Sequence, residues 1–251
     1  TFAFDFTTCA PSGALATSMT TSAPPCRSRN SCGLIGSGAA YCWGNNEIGQ
    51  LGDGTITPRV TPVHVVGSRS YRQVETNGDQ TCAVTTDNRA FCWGDNSGGM
   101  LGDGSTTSRL RPVRVAGGLS FRLITAAGAH TCGLTVGRRA YCWGVNESGR
   151  LGDGTETQRL SPTPVSGGFS FSQVTPGGGR TCGVTTASKA YCWGRNDNGQ
   201  LGDGTTAQRL TPVAVAGGLR FGQVRAGGVH TCGITLGDRA YCWGLNEDGQ
   251  L

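Results

Sequence analysis

The chain has 251 residues, of which 36% are apolar, 43 are glycine and 10 are proline, a composition that excludes one thick hydrophobic core. No apolar run approaches the roughly 20 residues of a membrane-spanning helix, which excludes that class of membrane protein. The formal charge of +5 rests on one lysine, Lys189, and on arginines scattered through every part of the chain, so a nucleic-acid-binding stripe is not expected. The 12 cysteines recur in an ordered pattern, which calls for an oxidising compartment because cytosolic thiols stay reduced. The expected location is therefore secreted or periplasmic. The N-terminus lacks the charged and apolar regions of a signal peptide and reads as that of a mature or trimmed chain.

In chain order, residues 1–31 share no pattern with the rest of the chain and form an atypical N-terminal segment, a candidate closing strand. Residues 32–251 are periodic: Trp43, Trp93, Trp143, Trp193 and Trp243 recur at steps of 50 residues with nothing inserted or lost. A period of this length marks stacked units that bury their faces against one another. Within one repeat, residues 112–116, 121–126, 131–135 and 140–144 are short β-branched or aromatic runs separated by Gly-rich breaks. None has a 3.6-residue apolar period, which disfavours helical solenoids. Four strands per unit is the content of a propeller blade. The expected fold is all-β, a β-propeller of five visible repeats, incomplete or open.

Residues 131–135 and 140–144 make a hairpin about Gly137, which sets Cys132 opposite Cys142. Opposed residues of a non-hydrogen-bonded antiparallel pair lie about 4.5 to 5.5 Å apart at Cα, a distance a disulfide accepts. Five bridges are therefore expected: Cys32–Cys42, Cys82–Cys92, Cys132–Cys142, Cys182–Cys192 and Cys232–Cys242, with Cys9 and Cys26 a candidate sixth. Strand alternation groups Cys132, Leu134, Ala140 and Cys142 on one face, and sets Tyr141 opposite Gly133 and Trp143 opposite Thr131 on the other. Zinc is not expected, because these cysteine pairs have no histidine at ligand spacing. The oxygen-rich loop after each tryptophan does not match the calcium-loop spacing. No metal and no cofactor is expected. Asn146 and Asp153 read as turn caps, and Arg59, Arg109, Arg159 and Arg209 as ties between loop and blade.

The run His130-Thr-Cys-Gly-Leu-Thr, followed by Ala140-Tyr-Cys-Trp-Gly-x-Asn-x-x-Gly-x-Leu-Gly-Asp-Gly, resembles the repeat of the regulator of chromosome condensation family over residues 32–251. The resemblance implies a propeller with one repeat-length unit per blade, usually seven blades, closed by a strand shared between the chain ends. Five units, and a last residue, Leu251, inside the expected Gly-Gln-Leu-Gly-Asp-Gly element, depart from that pattern. Activities in the family include nucleotide exchange on a small nuclear GTPase, light sensing in plants, and β-lactamase inhibition by a secreted bacterial propeller. Exchange is associated with a wedge inserted in one blade, for which the fixed spacing leaves no room. Light sensing uses tryptophans in Gly-Trp-Arg-His-Thr segments, where this chain has Gly227-Gly228-Val229-His230-Thr231. The secreted inhibitor is nearest in compartment, although its binding face is aromatic and this chain has few aromatic residues to place there.

The loop entering the third strand and the loop leaving the fourth emerge at one end of an antiparallel blade. Both hold columns that vary among blades: Gln80, His130, Arg180 and His230 in the first, and Asp95, Val145, Arg195 and Leu245 in the second, which continues into Ser97, Glu147, Asp197 and Glu247. A fixed scaffold that presents a different side chain on each blade suits an asymmetric partner. The expected function is an extracellular binding module for a protein or glycan. Two alternatives stand beside it: a self-assembling protein joined through its end blades, and an enzyme inhibitor like the secreted propeller. Catalysis is not expected, because His64, His130 and His230 have no matched nucleophile or base. With five bridges formed, at most two of the 12 thiols should react with a thiol reagent under denaturing, non-reducing conditions. Ten reactive thiols would overturn both the bridges and the oxidising location.

Overall fold

Short runs rich in Val, Thr, Tyr and Phe, cut by glycines with positive φ, fold into strands throughout the computed structural model, which describes residues 30–251. The first sheet contains β1 (Asn30–Leu34), β2 (Ala40–Gly44) and β3 (Arg59–His64). The second contains β4 (Tyr71–Asn77), β5 (Gln80–Thr85), β6 (Ala90–Gly94) and β7 (Arg109–Arg114). The third contains β8 (Phe121–Ala126), β9 (His130–Thr135), β10 (Ala140–Gly144) and β11 (Arg159–Pro164). The fourth contains β12 (Phe171–Pro176), β13 (Arg180–Thr185), β14 (Ala190–Gly194) and β15 (Arg209–Ala214). The fifth contains β16 (Phe221–Ala226), β17 (His230–Thr235) and β18 (Ala240–Gly244). Each sheet is an antiparallel blade, so the all-β propeller architecture expected from the repeat is the one observed. Cys9, Cys26 and the candidate closing strand lie outside the described residues.

Strands β4, β8, β12 and β16 touch their equivalents in adjoining blades and so line the axis, while β7, β11 and β15 are outermost and largely exposed. The first and last blades share no packed elements among the described residues, and the arc is open. The blade boundary differs from the sequence grouping. The sequence places residues 112–116 with the hairpin after them, but their strand, β7, pairs with β6 of the preceding hairpin, Cys92 opposite Val113. A periodic sequence fixes the length of its unit and leaves the phase free. Here the long loop from Asp95 to Ser108 returns the chain so that β7 runs antiparallel beside β6.

Within the hairpins the register is the expected one, Leu134 opposite Ala140, Gly133 opposite Tyr141 and Thr131 opposite Trp143. The five bridges Cys32–Cys42, Cys82–Cys92, Cys132–Cys142, Cys182–Cys192 and Cys232–Cys242 are formed, each with its Cα atoms 4.1 Å apart. The apolar interior is divided among the gaps between successive blades. Cys82, Cys92, Leu101 and Val115 of the second blade, for example, pack on Phe121, Ile124 and Trp143 of the third. Gly102 is needed there twice over, since its φ is +70° and a Cβ on it would sit 2.5 Å from the Trp143 Nε1. Gly104 has a similar φ of +86° with nothing within 4 Å of its Cβ direction.

This pair separates packing from backbone conformation. Gly104→Ala should cost about 1 kcal/mol from the left-handed backbone alone, and Gly102→Ala about 2 to 4 kcal/mol, because overpacking is added. Urea unfolding of the two variants measures the difference. Equal losses would mean that the indole does not press on the glycine.

Candidate functional site

The loops that leave the central hairpin of the first four blades are pinned by a side-chain network that repeats from blade to blade. In the third blade the buried Asn146 donates from Nδ2 to Asp153 Oδ1 (3.1 Å), Thr155 O (2.9 Å) and Thr157 O (3.0 Å), and its Oδ1 accepts from the Leu151 N–H (2.9 Å). Asp153 accepts from the Thr155 N–H and Oγ1 on one oxygen, at 3.0 and 2.8 Å, and from Arg159 Nε on the other at 2.8 Å. Asp53–Arg59, Asp103–Arg109 and Asp203–Arg209 repeat the ion pair at 2.9, 2.6 and 2.8 Å. Asn146, Asp153 and the four arginines thus have the capping and tying roles their residue types suggest. Burial works to raise the carboxyls of Asp53, Asp103, Asp153 and Asp203, but hydrogen bonds from Thr or Ser and from Arg outweigh it and hold them below the usual aspartate range.

The first variable column is not on an open face. Gln80, His130 and Arg180 are 1%, 0% and 0% exposed, and His230 is half-buried. Each side chain of this column, with Asn30 ahead of it, reaches across to a threonine of the next blade: Asn30 Nδ2 to Thr81 Oγ1 at 3.0 Å, Gln80 Nε2 to Thr131 Oγ1 at 3.2 Å, His130 Nε2 to Thr181 Oγ1 at 2.8 Å, and Arg180 Nε to Thr231 Oγ1 at 3.0 Å. The expectation that Gln80, His130 and Arg180 meet a partner is corrected, since these side chains fasten one blade to the next. Thr181 Oγ1 donates to Arg150 O at 2.8 Å, so it accepts from His130, which therefore carries its proton on Nε2. Nδ1 is left buried without a partner. Arg180 is a buried guanidinium held by neutral acceptors, Thr231 Oγ1 and the carbonyls of Gly228 and His230, and burial lowers its pKa to about 10.

The second column does lie at the loop end. Arg195, Glu147, Asp197 and Glu247 are exposed, while Asp95, Val145 and Leu245 are half-buried. Arg195 pairs with Asp197 at 2.6 Å, and Arg150 with Glu147 at 2.9 Å. Between the third and fourth blades these loops frame a cleft of about 430 Å³, lined by Glu147, Ser148, Arg150, Arg195 and the backbone of Gly177, Gly178 and Gly179. Arg150 is a site residue that sequence reasoning missed. The available signal was its column, where Gln50, Met100, Gln200 and Gln250 stand in the other blades and only Arg150 is charged. His64 sits against the Tyr41 ring with centroids 5.3 Å apart. Among the described residues no three His, Cys, Asp or Glu side chains are grouped to hold a metal ion.

A propeller of equal blades with pinned loops and blade-specific rim residues is a repeat-protein scaffold of the kind used for interaction. The chain belongs to the regulator of chromosome condensation (RCC1) repeat family, whose model matches residues 37–84, 87–134, 139–184 and 188–234, with a second model of the repeat matching 71–99, 171–200 and 223–250. Among solved structures, Prp20p from Saccharomyces cerevisiae aligns at 20% identity and a TM-score of 0.75 over 87% of this chain and 56% of its own. Human WBSCR16 aligns at 22% identity and 0.71 over 79% and 53%, and the ectodomain of the Physcomitrella patens receptor kinase CR4 at 24% and 0.57 over 86% and 49%. The chain thus spans about half the length of these structures, and the likeness shows the fold. Comparison with curated proteins finds no match.

The buried polar groups set the acid behaviour of the fold. Burial, with the nearby Arg150 charge, lowers His130 from 6.5 to about 3, so it stays neutral when folded while the unfolded chain takes up a proton. Stability from this site is full above about pH 6.5 and is lost progressively down to about pH 3; the depressed aspartates add a second loss only below about pH 4. His130→Gln, which places the residue native at position 80 in the same seat, should keep the bond to Thr181 and flatten the fall in melting temperature between about pH 6.5 and 4.5. An unchanged slope in the variant would remove His130 as its source.

Proposed function

We propose that the chain is an extracytoplasmic interaction module whose loop face binds a partner protein. One observation carries this reading. The Asn-Asp-Arg network repeats in the loops of the second, third and fourth blades, yet the side chains displayed above it are Asp95, Val145 and Arg195 in one column and Ser97, Glu147 and Asp197 in the other, and the fifth blade continues the two columns with Leu245 and Glu247. A rigid frame with a different chemical group on each blade provides directional recognition without a cost of loop ordering. Neither column carries an aromatic ring on which a sugar would stack, which favours a protein over a glycan. The cleft between the third and fourth blades, with both signs of charge at its rim, suits a protein surface of mixed charge. Five disulfides, and no helix long and apolar enough to cross a membrane among the described residues, support the location. The yeast relative Prp20p is described with binding to Gsp1p and histones, and as yeast RCC1 bound to Kap60, so protein recognition has a precedent on this fold.

The test compares proteins retained by the immobilised wild-type chain with those retained by Arg195→Glu and Glu147→Arg, and by Lys189→Gln at the opposite end. A partner lost about tenfold with each loop-face variant, kept with Lys189→Gln, and unaccompanied by a fall in melting temperature supports the reading. Partners indifferent to both charge reversals would overturn it.

A further inference from the structure

The end of the arc opposite the loops has its own chemistry. There the turn between the two central strands of each blade meets the connection that enters that same blade. Thr86 N–H donates to Ser70 O, Val136 N–H to Ser120 O, Thr186 N–H to Ser170 O and Leu236 N–H to Arg220 O, at 2.9 to 3.0 Å. The turns also bond forward, Phe121 N–H to Asn88 O, Phe171 N–H to Arg138 O and Phe221 N–H to Ser188 O, at 2.8 to 2.9 Å. The result is one continuous, backbone-bonded rim. Because the repeat is constant, the residue before the third strand of each blade falls at the same place on it: Arg89, Arg139, Lys189 and Arg239, all exposed. Arg138 and, on the inner side, Arg72, Arg122 and Arg220 add further exposed cations. Among the described residues two carboxylates stand with them, Asp87 and Asp238. Lys189, Arg138 and Arg239 have no carboxylate within salt-bridge distance among the described residues.

The same turns expose aliphatic side chains at their tips. Val136 is 57% and Leu236 62% exposed, and Ile35 at the first turn is 40% exposed. Val136 belongs to an interior blade with neighbours on both sides, so its exposure comes from its place on the turn. At the far end the exposed groups are largely acidic, Glu47, Asp79, Glu147, Asp197, Glu247 and Asp248. Arg195 is exposed there too, so the loop end carries an acidic excess and the turn end a basic one.

We propose that the turn face docks on an anionic lipid surface. Its cations sit at the headgroup level, its aliphatic tips enter the interface, and the acidic loop face is turned away, free for its partner. Basic residues near a negative leaflet attract it additively and within a Debye length, and apolar tips add affinity that salt does not screen. A flat nucleic-acid or sugar polymer would use the cations and leave the aliphatic tips without a role. The proposal does not rest on the loop face, and the two fail separately.

The test is co-sedimentation of the full chain with vesicles of phosphatidylcholine alone and of phosphatidylcholine and phosphatidylserine in equal parts. Binding is expected to the anionic vesicles only, and should weaken as salt rises. Removing one cation near the surface should cost about fivefold, so Lys189→Gln with Arg239→Gln should lose more than tenfold. Val136→Ser with Leu236→Ser should weaken vesicle binding while leaving any binding to soluble heparin or polyphosphate unchanged, whereas Arg195→Glu should leave vesicle binding intact. Equal binding to both vesicles, no binding to either, or vesicle binding indifferent to Val136 and Leu236 and matched by the soluble polyanion would overturn the proposal. The wild-type comparison of the two vesicles decides the matter even where a variant folds poorly.

Discussion

The carbonyl oxygens of Gln50, Met100 and Gln200 each accept two hydrogen bonds from the next blade along the arc. One comes from an indole, Trp93, Trp143 or Trp243, at 2.9 to 3.1 Å, and one from a hydroxyl, Thr81, Thr131 or Thr231, at 2.8 to 2.9 Å. A carbonyl has two lone pairs, and both are used. A buried donor left unmade costs about 1 to 3 kcal/mol, so a rotation of the next blade that breaks either bond is disfavoured. The tryptophan placed in this way lies against the glycine two residues beyond the carbonyl, and the leucine between them is buried. Where Arg150 replaces these residues, the hydroxyl bond from Thr181 persists at 2.8 Å and the Trp193 indole is buried without a partner. The register of the arc therefore depends on the hydroxyl more than on the indole.

This constraint explains how a chain that is only 36% apolar builds an ordered arc. A single core would need more apolar surface than the chain has, whereas seams one side chain deep need a cystine, a leucine and an aromatic ring apiece. Polar bonds set the angle between blades, disulfides hold each hairpin, and the Asn-Asp-Arg network holds the loops of the first four blades. With the frame fixed separately at each level, both ends of a blade are free to vary in chemistry. The loop end uses that freedom for residues that differ from blade to blade. The turn end keeps a cation in one column of four blades.

Much of this was legible in the sequence because the period is constant. Tryptophan spacing marks the blades, and cysteine symmetry about Gly137 marks the hairpin register and the bridges. The column Gln80, His130 and Arg180 misleads because variable polar residues usually lie outside. Yet every member of it, with Asn30 and His230, carries an N–H group, and the next residue is threonine from Thr81 to Thr231. A hydroxyl acceptor takes a hydrogen from an amide, an imidazole or a guanidinium alike, so the side chain varies while the bond does not. Invariance of bonding role, not of residue type, was the signal. The phase of the blade was not legible for a different reason: Cys92 opposite Val113 is a long-range pairing that a repeat reproduces equally well with the strand assigned to either side.

The distribution of charge shows the same limit from the other direction. Along the chain the cations look dispersed, one or a few per repeat, and dispersion argues against a charged surface. In a propeller of constant period the argument inverts, because residues 50 apart are neighbours on one rim: Arg89, Arg139, Lys189 and Arg239 are spread through 151 residues of sequence and gathered at one end of the fold. Arg139 donates to Gly168 O and Arg89 pairs with Asp87, but Lys189 and Arg239 have no such partner among the described residues and position 39 of the first blade is alanine, so the column as a whole is not required by the seams. A column of like charge that the fold does not need is better explained by what meets that face than by what holds it together.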